Sequence, residues 1–458
     1  MKLTFPELVE QTGLRPFQIM LVGLVMLVLM IDGIDIQLLS LVAPVIIEEW
    51  GVDRASFGPA LAAALVGMSL GAFAGGWLGD RIGRLRALLF STVLFGVATA
   101  AASLSNDVWT MSALRMLSGI GFGAAGPNSL ALVSEWLPTR YRSQVVGLLS
   151  IGTPAGGMLG AWIVLVMLPG YGWKGTFIAC GVATILLAVI MTFALRESPA
   201  YLMRRGKVRE AQRAARPLLD PDVEIMAVRE SAGTADGGGE EEIGLFDRRL
   251  LRLNLGAGLS FFFAALISYA FLAWAPVLLT DAGFSLPEAL GTIFAFNLGS
   301  VTAALAAGVL VGIFGSKRML AFCCTVLLSA IVALGLVLSG DIGPSRLTAV
   351  TACIALSGAS AGATLTTLYA MMVGAYPLSC RGAGLGFGFM LGRTGGIVLS
   401  LVGGYLLNLG AGSAWPFLAV LAFGAIVAGS GAFISDIHVL GREKRKTIRT
   451  GVQAAATP

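Results

Sequence analysis

The sequence predicts an all-α polytopic membrane protein in which twelve transmembrane helices form two six-helix bundles. Composition, the spacing of apolar runs and an internal repeat predict it. Of 458 residues, 56% are hydrophobic and only 12% are charged, and the mean hydropathy is +0.85. A soluble chain carries about 25% charged residues. That contrast excludes a soluble enzyme, a disordered chain and a nucleic-acid binder. The net charge of +5 is then a matter of where cations sit along a membrane chain. Five cysteines without a repeated spacing and a single histidine, His438, offer neither a disulfide framework nor a metal cluster. No cofactor or metal is expected.

A spanning helix needs about 20 mostly apolar residues. The apolar runs lie at roughly 17–41, 57–79, 86–105, 109–135, 143–168, 173–195, 250–279, 288–314, 318–339, 346–374, 382–408 and 414–436. The first run holds two aspartates and lacks the layout of a cleaved signal, so it is expected to be retained as a helix. If both termini are cytoplasmic, 26 of the 31 Lys and Arg fall on the cytoplasmic side. Arg54, Lys174 and Arg346 fall on the other, and Arg115 and Arg393 lie within spans. This asymmetry places both termini in the cytoplasm.

The polar interval 196–249 separates six spans from six, giving bundles at 1–195 and 250–436 and a cytoplasmic tail at 437–458. Its first part, rich in Arg and Lys, suits a surface helix, and 231–242 reads as a Gly- and Glu-rich linker. The halves echo one another at an offset of 239 residues: Leu117-Ser118-Gly119 matches Leu356-Ser357-Gly358, Pro138 matches Pro377, and Arg142 matches Arg381. Gly147 matches Gly386, and Gly156-Gly157 matches Gly395-Gly396. Two bundles of equal topology are the arrangement of parallel-repeat transporters that rock about a central site.

Ionisable groups inside spans cost about 2.5–3.5 kcal/mol on insertion scales and mark candidate sites. Four are clear: Asp32, Asp35, Arg115 and Arg393. At a rise of about 1.5 Å per residue, Asp32 lies roughly 22 Å from the inner side and Arg115 roughly 9 Å from the outer side. Those depths nearly coincide across a core of about 30 Å. Asp32 and Asp35 stand at i, i+3 on one helix face, so Arg115 is expected to face one or both. Such a cluster can carry a proton, because burial raises a carboxylate pKa and a nearby arginine lowers it. The alternative is a static ion pair that fixes packing.

Arg393 has no acid in its own span, so a substrate carboxylate is a natural partner for its guanidinium; hydrogen bonding to backbone is the alternative. Asn128 and Asn297 could read ring hydroxyls or serve as packing glue. Tyr269, Trp274 and Tyr369 are candidate stacking surfaces, with Phe271, Phe387 and Phe389. Asp80, Arg81, Arg84, Glu135 and Arg142 suit a cytoplasmic gate, with Asp80 as an acceptor for unsatisfied helix N–H groups.

Gly79-Asp80-Arg81-Ile82-Gly83-Arg84 resembles the cytoplasmic signature of the major facilitator superfamily, and Gly312-Ile313-Phe314-Gly315-Ser316-Lys317-Arg318 is its degraded counterpart. Within that superfamily the chain resembles the aromatic acid:proton symporters. The carriers are Asp32-Gly33-Ile34-Asp35 with Ala43-Pro44, and Gly123-Ala124-Ala125-Gly126-Pro127-Asn128 leading to Ser134-Glu135. Trp274-Ala275-Pro276 with Ala282-Gly283-Phe284-Ser285, and Gly392-Arg393-Thr394-Gly395-Gly396, complete them. The resemblance implies the major facilitator fold and a monomeric, non-enzymatic importer that couples proton entry to uptake of a hydroxybenzoate-like carboxylate. It also implies a latch role for the Asp80 motif. Symport of another small organic anion is an alternative. Proton-driven efflux is a second, suggested by the antiporter-like run Gly152-Thr153-Pro154-Ala155-Gly156-Gly157.

Overall fold

The structure, a computed structural model, describes residues 2–11, 13–138, 140–141, 145, 148–149, 151–218, 224–226, 246–340, 345–376, 381–410, 412–436 and 438. After a short α1 (Phe5–Gln11) come α2 (Pro16–Trp50), α3 (Arg54–Ile82), α4 (Arg84–Ala101), α5 (Val108–Trp136) and α6 (Gly152–Ala194). Two short helices, α7 (Pro199–Arg204) and α8 (Val208–Ala215), occupy the start of the central interval. The second half contains α9 (Leu251–Asp281), α10 (Leu286–Phe314), α11 (Ser316–Ser339), α12 (Arg346–Ala375), α13 (Arg381–Leu409) and α14 (Trp415–Ile434).

Helix α6 has 43 residues, about 65 Å at the helical rise and twice what a bilayer core needs. It bends at Gly172, whose φ of 65° lies in the left-handed region, just after Pro169. It therefore holds the fifth and sixth spans, and the described helices account for all twelve. One feature was not foreseen: Lys2–Thr4 (β1) pairs in parallel with Glu224–Met226 (β2), in register Lys2 to Glu224. Three residues carry no readable period, so the pairing leaves no trace in the sequence.

The chain divides into two compact units, Met1–Ile36 with Ala63–Glu240 and Gln37–Ala62 with Glu241–Pro458. In the first, α4 packs on α5 and α6, and a buried cluster joins Phe5, Leu8, Trp136, Leu202, Met203 and Ala215. The start of the central interval is thus packed against helix ends by apolar burial. In the second, α9 packs on α13 and α14, and α12 on α10 and α11.

The repeat has a physical expression. A Cβ on Gly119 would strike the Ala64 carbonyl of α3, and one on its counterpart Gly358 would strike the Phe296 carbonyl of α10. Likewise Gly156 abuts the Met30 carbonyl of α2, and its counterpart Gly395 abuts that of Phe262 in α9. Each unit uses the same small residues to bring the same helix pairs into backbone contact. Gly33→Ala drives a methyl into the Thr153 carbonyl and is expected to lower the yield of folded protein severalfold, read as the monodisperse peak on size exclusion.

Candidate functional site

The first unit brings Asp35 and Arg115 together. Arg115 Nη1 donates to Asp35 Oδ1 at 2.7 Å, and Nη2 donates to the Asp35 backbone carbonyl at 2.7 Å. Thr99 Oγ1 donates to the same Oδ1 at 2.9 Å. Asp35 is 6% exposed and Arg115 1%, so the pair is largely withdrawn from water. One oxygen of Asp35 thus takes both side-chain donors, and Oδ2 makes no hydrogen bond among the described residues. Arg115 Nε is a buried donor without an acceptor there, so the pair is not saturated.

Asp32 takes another direction. Its Oδ2 accepts from Thr153 Oγ1 of α6 at 3.2 Å, and the residue is 3% exposed. Gly33 makes that bond possible, since only a residue without a side chain lets α6 come close enough for Thr153 to reach the acid. The Gly152–Gly157 run is the other face of this contact: it carries Thr153, and its Gly156 lies on Met30. Sequence reasoning passed over Thr99, and it singled out Thr153 only as part of the antiporter-like run, not as a partner of Asp32. Threonines bonded to their own helix, as Thr92 and Thr184 are, look no different in a sequence.

In the second unit Arg393 (α13) is half-buried and within electrostatic reach of the Tyr369 hydroxyl of α12, which also senses Tyr269 of α9. The Tyr369 ring lies 5.0 Å from Phe261 and 5.0 Å from Phe389, both in tilted arrangements. Tyr269 lies over Gly396, where a Cβ would meet its ring. A cation, two phenols and flanking aromatic faces therefore gather on α9, α12 and α13.

The other polar candidates have committed partners. Asn128 donates both amide hydrogens to carbonyls, of Gly75 on α3 and Ala124 on its own helix, each at 2.8 Å. Asn297 and Gln37 exchange amide bonds of 2.9 and 3.1 Å, and Asn297 also donates to the Ile293 carbonyl. Trp274 is fully buried, donates to the Ser400 carbonyl at 3.3 Å and fits where Gly403 and Gly404 leave room for its indole.

Among the gate candidates, Arg84 bridges Asp80 and Glu135, the latter at 3.5 Å, while the Asp80 side chain is 70% exposed. Arg81 lies 4.0 Å over the Trp77 ring. Arg142 lies outside the described residues. The central interval adds partners that spacing does not reveal. Glu197 accepts from the backbone N–H of Leu85 at 3.1 Å and of Arg86 at 3.4 Å, closing the start of α4. Arg205 donates to the Asp80 and Arg81 carbonyls at 3.0 Å each, and the Tyr201 hydroxyl donates to the latter at 2.9 Å. The motif loop is thus held at both ends by α7 and its flanks.

The sequence profile described as Major Facilitator Superfamily matches residues 25–296. The chain is 30% identical to the gallate transporter of Pseudomonas putida over 433 residues, covering 92% of this chain and 93% of that protein. It is also 30% identical to the 4-hydroxybenzoate transporter of Pseudomonas aeruginosa, with 92% of each covered. Among solved structures, the inward-open xylose transporter of Escherichia coli superposes with a TM-score of 0.74 at 18% identity, covering 93% of this chain and 98% of that one. That likeness speaks for the fold, and the sequence relatives speak for the family. On these grounds the chain belongs to the Major Facilitator Superfamily, as a transporter of its aromatic acid:proton symporter family.

Proposed function

We propose that the protein imports a hydroxybenzoate-like aromatic carboxylate together with protons, by rocker-switch alternating access in the bacterial inner membrane. The observation that carries this reading is the set on α9, α12 and α13: Arg393 within electrostatic reach of Tyr369, with the tyrosine ring in contact with Phe261 and Phe389. A planar guanidinium holds a carboxylate through two parallel hydrogen bonds, the phenols of Tyr369 and Tyr269 suit ring hydroxyls, and the aromatic faces suit the ring. Trp274 ties α9 to α13 through the Ser400 carbonyl and so positions two of the helices that bear this site, whereas Asn128 fastens α5 to α3 and Asn297 fastens α10 to α2.

The proton rides on the Asp35–Arg115 pair, with Asp32 as its neighbour. Asp35 Oδ1 takes the Arg115 and Thr99 donors, while Oδ2 makes no hydrogen bond among the described residues. The open Oδ2 is the seat for the proton. The Asp80, Arg81, Arg84, Glu135 and Arg142 group acts as the inner latch, and both termini face the cytoplasm. The proton gradient is the energy source, with no cofactor, and one chain suffices as a monomer.

Uptake into proteoliposomes tests this. Labelled 4-hydroxybenzoate, gallate and benzoate are offered with an inward proton gradient, which is then collapsed. Concentrative uptake of at least one acid, lost on collapse, is the expected result. Uptake of none, with gradient-driven export or transport of a non-aromatic anion instead, overturns the reading and leaves the fold intact.

A further inference from the structure

Beside the motif loop, the first unit contains a cleft of about 610 Å³ to which the transport reading assigns no ligand. Arg81 and Arg86 line it from the α3–α4 junction, Arg205 and Lys207 from the turn between α7 and α8, and Arg213 from α8. Two acids share the cleft, and both are engaged. Glu197 takes backbone N–H groups of α4, and Glu210 pairs with Lys207 at 3.1 Å. Arg205 is tied to the carbonyls of Asp80 and Arg81. Arg86 and Arg213 are exposed, and neither guanidinium has a carboxylate within ion-pair distance among the described residues. Five cations against two occupied acids leave a pocket with an unbalanced positive field.

The surroundings indicate what kind of anion fits. The cleft opens where two spanning helices meet, so it sits at the height of a bilayer surface. Its wall includes the exposed Ile82, and Trp77 and Phe90 stand exposed on α3 and α4, at 55% and 60%. Apolar side chains bared on spanning helices face acyl chains, and basic pockets beside such helices take phosphate headgroups. A soluble anion has no use for that apolar border.

We propose that this cleft binds the phosphate headgroup of an anionic phospholipid, with Arg86 and Arg213 as its principal ligands and the acyl chains lying along α3 and α4. Occupancy would bridge the α3–α4 junction to α8 across the cleft. The lipid would thus brace the central interval against the motif loop from the membrane side.

The test is native mass spectrometry of the full chain in neutral detergent, offered equimolar dioleoylphosphatidylglycerol and dioleoylphosphatidylcholine. The unaltered protein is expected to retain the anionic lipid about tenfold over the zwitterionic one, the scale set by cations near an anionic surface. In the R86Q/R213Q variant that ratio is expected to fall close to one. Both side chains are exposed and outside the proposed transport machinery, so the variant is expected to elute and take up substrate as the parent does. Inorganic phosphate at the lipid's concentration is expected not to displace the phosphatidylglycerol. Equal retention of the two lipids by the unaltered protein overturns the proposal without recourse to any variant. An unchanged preference in R86Q/R213Q also overturns it, placing the lipid elsewhere, for instance on the basic tail. Displacement by phosphate overturns it as well and makes the cleft a free-phosphate site.

Discussion

Replacing Arg393 by lysine is expected to raise the concentration of aromatic acid needed for half-maximal uptake by about 10- to 100-fold. A hydrogen bond to a charged group contributes about 1.5–3 kcal/mol, and each 1.4 kcal/mol is about tenfold. Lysine keeps the positive charge but loses the planar fork, so the loss isolates geometry from electrostatics. Binding measured by scintillation proximity at zero gradient separates the effect from proton coupling. If Arg393→Lys binds the acid as tightly as the parent, the carboxylate is held elsewhere. Tyr369→Phe makes a finer comparison, since it removes one hydroxyl but keeps the ring between Phe261 and Phe389. It should weaken hydroxylated acids and leave benzoate nearly unchanged.

The second large effect concerns the Asp35–Arg115 pair. Arg115→Leu leaves the Asp35 carboxylate buried without its cation, and removing one member of such a pair costs about 3–5 kcal/mol. Since folded proteins are stable by only about 5–15 kcal/mol, most of the expressed protein is expected to be lost. Asp35→Asn is milder, because although the Arg115 guanidinium loses its counter-charge, the amide oxygen still accepts from both Thr99 and Arg115 and keeps the cation hydrogen-bonded. That variant is expected to fold and to catalyse exchange of labelled for unlabelled acid, while concentrative uptake falls to background. Retained uphill uptake in Asp35→Asn would remove Asp35 from the coupling role and leave the pair as a structural clamp.

Charge within spans made part of this site readable in the sequence. A buried acid and a buried arginine at matching depth have few ways to be satisfied except by each other, and Arg115 and Asp35 meet at 2.7 Å. Their order was not equally legible. Asp32 and Asp35 share a helix face in the sequence, yet one turns to Thr153 of α6 and the other to Arg115 of α5. Which one wins the arginine depends on how far each neighbouring helix is held off. The glycines at 33 and 156 set that spacing through contacts no single helix encodes. The amides show the same limit. Asn128 and Asn297 have the same chemistry, but one binds two backbone carbonyls and the other exchanges bonds with Gln37, 260 positions away. The break in α6 was readable for the opposite reason, because Pro169 and Gly172 act on their own backbone.

The grip of Glu197, Tyr201 and Arg205 on the motif loop bears on how this chain can be dissected. A polypeptide divided after the sixth span would strip the first half of α7 and α8. It would leave the start of α4 without the carboxylate that closes it and bare the apolar cluster of Leu202, Met203 and Ala215. Apart from the exchange of Gln37–Ala62, the chain passes from the first unit to the second at Glu240–Glu241, inside the Gly- and Glu-rich stretch. A first fragment ending there would keep α7, α8 and the cluster they cover, while the second would still depend on Gln37–Ala62 of the first, which packs within its unit. For labelling one half, swapping halves between relatives or inserting a reporter, the dispensable joint is the end of the central interval and not its beginning.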